Sequence, residues 1–431
     1  MRKIVFVGGG SVKFVRELLV DIFSYGELQD SLISLMDINE GRLALSKRLL
    51  DKMIADRRLP AKAEATTCQR TALAGADFVI ISIMVGGYDY YRADVEIPKK
   101  YGILQTVSDT TGPGGIMRIL RTAPVLKQLA GDVQELCPNA WILNYANPMT
   151  MNTKVLHLCG HSRSVGLCHS IQGSMGWYLG GWLGLNPNEI DYFAAGINHR
   201  NFYLKLEHKG RDLYPDLKAA EERIVKKYPA ERPRFELMHY LGYFPAEGPM
   251  HQPEYYPWFL KNKAVAAHYA ADVGGGYRND FKHFNNRSAE IKRQIAGSLP
   301  IVYDRSCEFG ARIIQAIETG KELCIYGNVP NDSLIANLPE DAVVEVPCLV
   351  DKNGITPCRV GDIPPQLAAV MAPHVFLDGM AVKAVLSKDR TLLRQALQAD
   401  PLTGAILTLP EIEQMFNELL AANCDYLNDW A

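Results

Sequence analysis

The chain has 431 residues, of which 48% are apolar, and a formal net charge of -2 at pH 7. This balance provides neither a basic face for nucleic acid nor a polybasic patch for a membrane surface, so we expect a small-molecule partner. No apolar run approaches the about 18 residues of a membrane span, and the nine cysteines are scattered without close pairs, which favours a cytoplasmic location.

The first predicted elements are a strand, a glycine turn and a helix. Residues 3–7 form a short β-branched run that ends in Gly8, Gly9, Gly10 and Ser11, and apolar residues then recur at helical spacing. Such a turn lets the backbone approach a pyrophosphate, and the helix N-terminus offers free N–H groups to its charge. Lys13 replaces the third glycine of the usual dinucleotide motif.

The following elements continue the alternation of strand and helix. A second strand over residues 31–36 ends at Asp37, an acid suited to bind an adenosine ribose and unsuited to a 2′-phosphate, which favours NAD over NADP. A helix is predicted over residues 40–58, and further strands over 77–84 and 140–144 are almost continuously apolar, as in parallel strands covered on both faces. Residues 1–189 are therefore predicted to form an α/β domain of the Rossmann-like, doubly wound type.

The pattern changes near residue 190. Alternating ten-residue segments, a Tyr-rich and Pro-rich stretch from 240 to 259 and a helix over 306–318 predict a second, mixed α+β domain spanning residues 190–431. The two domains together predict the architecture of lactate and malate dehydrogenases.

Polar residues follow several predicted strands, where ligands of an open α/β sheet collect. Cys168 and His199 each come just after an apolar run, and a thiolate with an imidazole suits a divalent transition metal. Asn144 and Asn147 follow another strand. Asp109 precedes a Gly-Pro-Gly-Gly turn and a helix, and a ligand contact and an ordinary helix cap explain it equally well.

Seven motifs in order carry a resemblance to a known family. They are GGGS, LMDI, DTTGPGGIMR, NYANPM, GLCHSIQG, GINH and EYYPWF, and together they resemble glycoside hydrolase family 4, whose members depend on NAD. The His-Ser pair after Cys168 resembles the melibiase-type α-galactosidases of that family.

The resemblance implies hydrolysis of an α-glycoside, most simply an α-galactoside, with NAD and Mn2+ or another divalent metal. Transient oxidation at C3 of the sugar would permit deprotonation at C2, elimination of the leaving group, addition of water and re-reduction. Cys168 and His199 would hold the metal, His169 would protonate the departing oxygen, and Tyr255 or its neighbour Tyr256 would remove the C2 proton.

The resemblance also assigns cofactor and substrate contacts. The cofactor would be bound by Gly8, Gly9, Gly10, Ser11, Asp37 and Asn144. Asn147 and Asp109 would hold sugar hydroxyls. Arg92 would pair with a uronate carboxylate, or simply with Asp94 or Glu96 on its own helix, and Arg287 is a further possible sugar contact. A homodimer or homotetramer is expected.

Other functions stay open at this stage. Within the family, the sugar could be a glucose, galacturonic acid or glucuronic acid residue. Outside it, a 2-hydroxy-acid dehydrogenase would change the redox state of NAD stoichiometrically, and an NAD-binding sensor would have no catalytic activity.

Overall fold

The computed structural model describes residues 1–428 and 430, together with the side chains of all of these except residues 12, 13, 284 and 285. The strands are β1 (Lys3–Val7), β2 (Leu32–Met36), β3 (Lys62–Thr66), β4 (Phe78–Ile81), β5 (Trp141–Asn144), β6 (Ser164–Gly166), β7 (Ile190–Ile197), β8 (Arg200–His208), β9 (Arg211–Asp212), β10 (Leu323–Pro330), β11 (Val343–Asp351) and β12 (Gly354–Pro357).

Helices surround these strands. They are α1 (Val12–Phe23), α2 (Glu40–Arg57), α3 (Gln69–Leu73), α4 (Gly87–Lys100), α5 (Gly112–Leu136), α6 (Met149–Leu158), α7 (Ser170–Ser174), α8 (Gly180–Leu183), α9 (Tyr214–Lys227), α10 (Arg232–Leu241), α11 (Lys263–His268), α12 (Gly275–Ile295), α13 (Gly310–Thr319), α14 (Pro365–Ser387), α15 (Arg390–Gln398), α16 (Pro401–Ile406) and α17 (Leu409–Ala422). A π-helical turn, Met175–Leu179, joins α7 to α8.

The strands of the described part form one mixed sheet in the order β3-β2-β1-β4-β5-β6-β10-β11-β7-β8-β9, with β12 paired to β11. The first six strands are parallel, and their order reverses between β1 and β4. The strands from β10 onward pair antiparallel. Ligands of doubly wound sheets bind at the carboxyl ends of the strands beside such a reversal, so this edge is where a site is expected.

Most predicted elements occur with small shifts at their ends. The strand predicted over 77–84 is shorter, because the chain leaves the sheet after Ile81 and residues 82–84 lead into the turn before α4. The helix predicted over 306–318 begins only at Gly310. Its expected first turn is instead an irregular segment in which the Ser306 N–H donates to Asp21 Oδ1 at 2.8 Å.

Helix α14 is the one described helix that is long and apolar enough to cross a membrane, by length and composition alone. Half of its most apolar 18-residue stretch is buried, and the helix packs against α5, α6 and α15. Packing against three other helices accounts for the apolar residues on its buried face.

A buried ion pair joins α4 to α5. The Arg121 guanidinium and the Asp94 carboxylate are both about 1% exposed or less, and Nη1 donates to Oδ1 at 3.0 Å while Nη2 donates to Oδ2. Arg121 Nη1 also donates to Asn423 Oδ1 at 2.7 Å, which ties the C-terminal end of α17 to this pair. The pair therefore fixes the helix that follows the Asp109 loop.

Replacing Arg121 by Met should strongly destabilise the protein, because the Asp94 carboxylate would remain buried without a partner. The expected loss is about 3–5 kcal/mol, measured as a lower urea midpoint. Arg211→Met is the matched control, since Arg211 forms an ion pair with Asp216 at the surface, where such pairs stabilise little. Equal midpoints for the two variants would contradict this role of Arg121.

Candidate active site

The glycine turn after β1 is packed so closely that side chains are excluded. Gly8 has a φ of +92°, and a Cβ there would lie 2.5 Å from the Ser82 carbonyl oxygen. A Cβ on Gly10 would lie 2.7 Å from Asp37 Oδ2, the oxygen that accepts a hydrogen bond from the Gly10 N–H at 2.8 Å. The turn and the acid at the end of β2 thus form one unit, as the sequence predicts for a dinucleotide site.

The remaining predicted cofactor contacts differ in position. Ser11 is half-buried and immediately precedes α1, while Gly9 donates its N–H to the Met36 carbonyl oxygen at 2.7 Å. Asn144 is fully buried, and its side chain bonds both the N–H and the carbonyl oxygen of Ala146 at 3.1 Å. The geometry therefore gives Asn144 a role in shaping the loop after β5, and its cofactor contact stays a prediction.

A thiol, an imidazole and a carboxylate meet at the same edge of the sheet. The ligand atoms of Cys168, His199 and Glu247 all lie within 4.8 Å of one another. His199 Nε2 lies 3.3 Å from Glu247 Oε2, and the side chains of both residues are about 90% buried or more. The sequence predicts that Cys168 and His199 lie together, whereas only the folded structure shows that Glu247 joins them.

Local backbone structure places each of these groups. Cys168 lies two residues beyond β6. His199 is the second residue of the two-residue turn between β7 and β8, and its φ of 62° is in the left-handed region. Glu247 lies in a segment that bonds to the start of β8, where the Ala246 N–H donates to the Asn201 carbonyl oxygen at 3.1 Å.

The protonation of the cluster is set by burial and by its own charges. Burial lowers the pKa of His199 to about 4, despite the opposing effect of Glu247. Burial also raises the pKa of Cys168 well above that of an ordinary thiol, with the Glu247 and Glu345 carboxylates adding to the effect. Burial opposes ionisation of Glu247, but His199 and His251 outweigh it and lower the pKa of that carboxyl.

This donor set fits a divalent transition metal. A thiolate, a neutral imidazole and a carboxylate are common ligands of such ions at bond lengths of about 2.0–2.3 Å, so ligand atoms of one ion lie within the spacing seen here. Three protein ligands leave coordination positions for a substrate. Asn198, next to His199, has a buried side chain whose nitrogen and oxygen have no hydrogen-bond partner among the described residues.

The Tyr255 hydroxyl connects two histidines behind the cluster. It lies 2.8 Å from His199 Nδ1 and 2.8 Å from His251 Nδ1. The Arg200 guanidinium lies over the Tyr255 ring, 4.9 Å from its centroid. The hydroxyl of Tyr256 is buried without a partner among the described residues, and its ring stacks on Trp258. The geometry thus favours Tyr255 over Tyr256 as the residue that faces the cluster.

Asp109 belongs to a second group of polar side chains beside the first. Its ligand atoms lie within 4.8 Å of those of His251 and Glu254, and Asn147 Nδ2 donates to Asp109 Oδ2 at 2.9 Å. Burial opposes ionisation of Asp109, but His251 and Arg118 outweigh it and lower its pKa to about 2.

The helix-cap explanation of Asp109 does not hold in the structure. The N-cap position of α5 is Thr111, which makes no side-chain capping bond. Asp109 instead lies beside His251, Glu254 and Asn147, and its role as a sugar contact stays a prediction.

His169 lies at the outer side of the cluster. Its ring is 35% exposed, and Nδ1 lies 2.7 Å from Glu308 Oε1, a buried carboxylate. This contact orients the imidazole and leaves Nε2 available to donate a proton. The Trp177 indole lies nearly perpendicular to the same ring, with 5.0 Å between the ring centroids.

The two arginines predicted as substrate contacts are not brought into this cluster. Arg92 is exposed on α4, and no described ion pair joins it to Asp94, which pairs with Arg121, or to Glu96. Arg287 on α12 is half-buried and lies 3.6 Å from Glu17 Oε1 of α1. Their roles in substrate binding stay predictions without support from contacts.

Sequence reasoning missed three members of the site, Glu247, His251 and Glu254. All lie in the stretch from 240 to 259, whose many Tyr and Pro residues give no regular period from which to place these side chains. Glu254 accepts hydrogen bonds from the N–H groups of Val107 at 2.9 Å and Ser108 at 3.0 Å, and thereby holds the Asp109 loop. Three titratable side chains within eight residues of an irregular segment were the available signal.

Comparison with solved structures agrees with this architecture. A 6-phospho-alpha-glucosidase from gut microorganisms, in complex with NAD and Mn2+, superposes with a TM-score of 0.82 at 20% identity, over 99% of this chain and 98% of that one. Malate dehydrogenase of Cryptosporidium parvum matches with a TM-score of 0.55 at 15% identity, over 90% of this chain and 100% of that one. The predicted two-domain dehydrogenase-like fold is confirmed.

Comparison of sequences gives the family. The model of the family 4 glycosyl hydrolases matches residues 3–177, and that of their C-terminal domain matches residues 194–403. The alpha-galactosidase of Bacillus subtilis is 37% identical over the full length of both chains, and the alpha-galactosidase of Rhizobium meliloti is 36% identical over 100% of this chain and 90% of that one. The chain belongs to the family 4 glycosyl hydrolases and is a glycoside hydrolase.

Proposed function

We propose that the protein is an NAD- and Mn2+-dependent α-galactosidase. The observation that carries the proposal is the Cys168, His199 and Glu247 cluster, placed with Tyr255 at the sheet edge that also bears the dinucleotide turn. The alpha-galactosidase relatives and the likeness to a structure that contains NAD and Mn2+ support the choice of sugar and cofactors.

The cofactors and the protein have separate tasks in the proposed reaction. When bound, NAD supplies reversible oxidation at C3 of the sugar, and the metal supplies a Lewis acid. The Gly8 and Gly10 turn and Asp37 would hold the dinucleotide, and Cys168, His199 and Glu247 would hold the ion. Asp109 and Asn147, whose side chains are hydrogen-bonded to each other, would bind sugar hydroxyls through the carboxylate and the amide group.

Tyr255 is the proposed base for the C2 proton. Burial raises its pKa well above the ordinary value, with Glu254 and Glu247 adding to the effect, so the phenol cannot stay ionised without help. His251 Nδ1, at 2.8 Å, is placed to accept the phenolic proton, and the guanidinium over the ring favours the phenolate. His251 would then hold this proton beside the Asp109 carboxylate, since His251 Nδ1 lies 4.0 Å from Asp109 Oδ1.

The domain boundary and cellular setting extend the proposal. We assign residues 1–189 to cofactor binding and 190–431 to a mixed domain, supported by the change from parallel to antiparallel pairing after β6. The nine cysteines are free, which supports a cytoplasmic location. We propose a homodimer or homotetramer by resemblance to the family.

A panel of aryl α-galactoside, α-glucoside and α-galacturonide tests the proposed sugar. The galactoside should be cleaved fastest, only with NAD and Mn2+ present, and NADH should not accumulate because the cofactor is regenerated in each turnover. Stoichiometric NADH formation would instead indicate a dehydrogenase. Fastest cleavage of the galacturonide or glucoside would reassign the sugar within the family.

Metal binding should release about one proton, and the dissociation constant for Mn2+ should fall about tenfold per pH unit between pH 6 and 8. The reason is that the raised pKa of Cys168 keeps its thiol protonated there, whereas His199, with a pKa of about 4, is already neutral and Glu247 is already ionised. Calorimetry in buffers of different ionisation enthalpy counts the proton.

Cys168→Ser should abolish this pH dependence and the glycosidase activity. Cys324→Ser, which changes an exposed cysteine on β10, is the matched control and should leave both unchanged. A proton release that survives in the Cys168 variant would show that another group binds the metal.

His169→Ala should lower kcat for an alkyl α-galactoside about 10²–10⁴-fold, because the departing alkoxide needs a proton. A nitrophenyl α-galactoside should lose far less, since nitrophenolate departs unprotonated. Glu308→Gln keeps an acceptor for Nδ1 but removes the charge, so it should cause a smaller loss with the same preference between substrates. Equal losses for both leaving groups would exclude His169 as the proton donor.

A further inference from the structure

A groove of about 270 Å³ lies outside the cluster described above, between the helical segment of residues 170–183 and the C-terminal half of α9. Its walls include the aromatic side chains of Trp177, Tyr178, Trp182 and Tyr228, with Arg223 and Lys227 at its rim. Trp177 is 52% exposed and Tyr228 is 43% exposed, although large aromatic side chains are usually buried. None of the catalytic and binding roles proposed above uses these exposed rings.

The groove lies beside the proposed proton donor, because its wall residue Trp177 contacts His169. The helical segment that forms one wall begins directly after His169, and the Trp177 indole lies nearly perpendicular to the His169 ring, with 5.0 Å between the ring centroids. The hydroxyl of the next residue, Tyr178, lies close to Gly248, on the side of the site that carries Glu247. A Cβ on Gly248, which follows the metal-ligand candidate Glu247, would lie 3.2 Å from the Tyr178 hydroxyl.

The backbone is shaped to hold Trp177 in this place. A Cβ on Gly173 would lie 2.5 Å from the indole, so only glycine lets the ring fold back over the first turn of the segment toward His169. The π-helical turn Met175–Leu179 contains both Trp177 and Tyr178. Single π-helical turns are rare and occur frequently at functional sites.

The polar groups of the groove suit a neutral ligand. Arg223 donates to the Trp182 carbonyl oxygen at 2.6 Å, and the Lys227 ammonium lies 5.1 Å from the centroid of the Tyr228 ring. Glu231 pairs with the buried Arg234 at 2.9 Å. The groove thus offers aromatic faces and hydrogen-bonding groups, which match the C–H faces and hydroxyls of a sugar.

We propose that this groove binds the leaving-group part of an α-galacto-oligosaccharide, that is, the neutral hexose units beyond the galactose. The inference rests on the proposed function, because it takes His169 as the donor to the departing oxygen. The leaving group must then lie on the His169 side of the site, and Trp177 is the side chain that borders His169 there. The preferred substrates are accordingly oligosaccharides rather than small glycosides.

The test compares one small and one extended substrate in the holoenzyme. Trp177→Ala should lower kcat/KM about tenfold for an α-galactosyl-sucrose trisaccharide and less than twofold for methyl α-galactoside. Tyr228→Ala, at the opposite wall, should show the same selective loss. Tyr240→Ala removes an aromatic ring that is 84% exposed elsewhere on the surface, and should change neither substrate.

A binding measurement gives an independent readout. Sucrose, the leaving group of the trisaccharide, should inhibit cleavage of methyl α-galactoside by the wild-type enzyme, and its inhibition constant should rise about tenfold in Trp177→Ala. Equal losses on both substrates, or no loss on either, would overturn the inference. So would a change in subunit assembly of the Trp177 variant in sedimentation, which would identify the groove as an interface.

Failure of the proposed function gives a different result. In that case the wild-type enzyme cleaves neither the trisaccharide nor methyl α-galactoside. A wild-type enzyme that cleaves both, with a Trp177 variant that does not distinguish them, rejects the groove alone.

Discussion

The pairing of the antiparallel strands with β6 is the constraint on which the site depends. Cys168 belongs to the loop after β6, whereas His199 and Glu247 belong to chain segments that come after the parallel sheet. The Gly166 to Asn328 pairing joins β6 to β10, and the Glu345 to Gly196 pairing joins β11 to β7. Each of these contacts is a single residue pair, yet together they bring thiol, imidazole and carboxylate within 4.8 Å of one another.

Burial sets the protonation states of the carboxyl groups near the cluster. Two carboxyl groups near it have raised pKa values, about 7 for Glu254 and about 8 for Glu345, because burial disfavours their charged forms. The site therefore carries fewer negative charges at neutral pH than its number of carboxyl groups suggests. The carboxylates of Glu247 and Asp109 keep their charge, and metal binding would add the charge of a Cys168 thiolate.

The sequence was sufficient to predict the parallel half of the fold. Strands covered on both faces leave continuous apolar runs, and the close packing of the turn after β1 requires glycines. It also predicted that Cys168 and His199 lie together, since both follow strands. Glu247, His251 and Glu254 could not be placed in this way. Their segment has no regular period, and its position is fixed by hydrogen bonds to β8 and to the Asp109 loop, which are contacts over long sequence distances.

The backbone at His199 narrows which residues can serve at that point in the chain. A left-handed φ in a two-residue turn strains most side chains, and Asn, Asp and His are among the non-glycine residues that tolerate it best. All three of these carry nitrogen or oxygen donors. Among residues other than glycine, the hairpin thus favours side chains with a nitrogen or oxygen donor at the position of the proposed metal ligand.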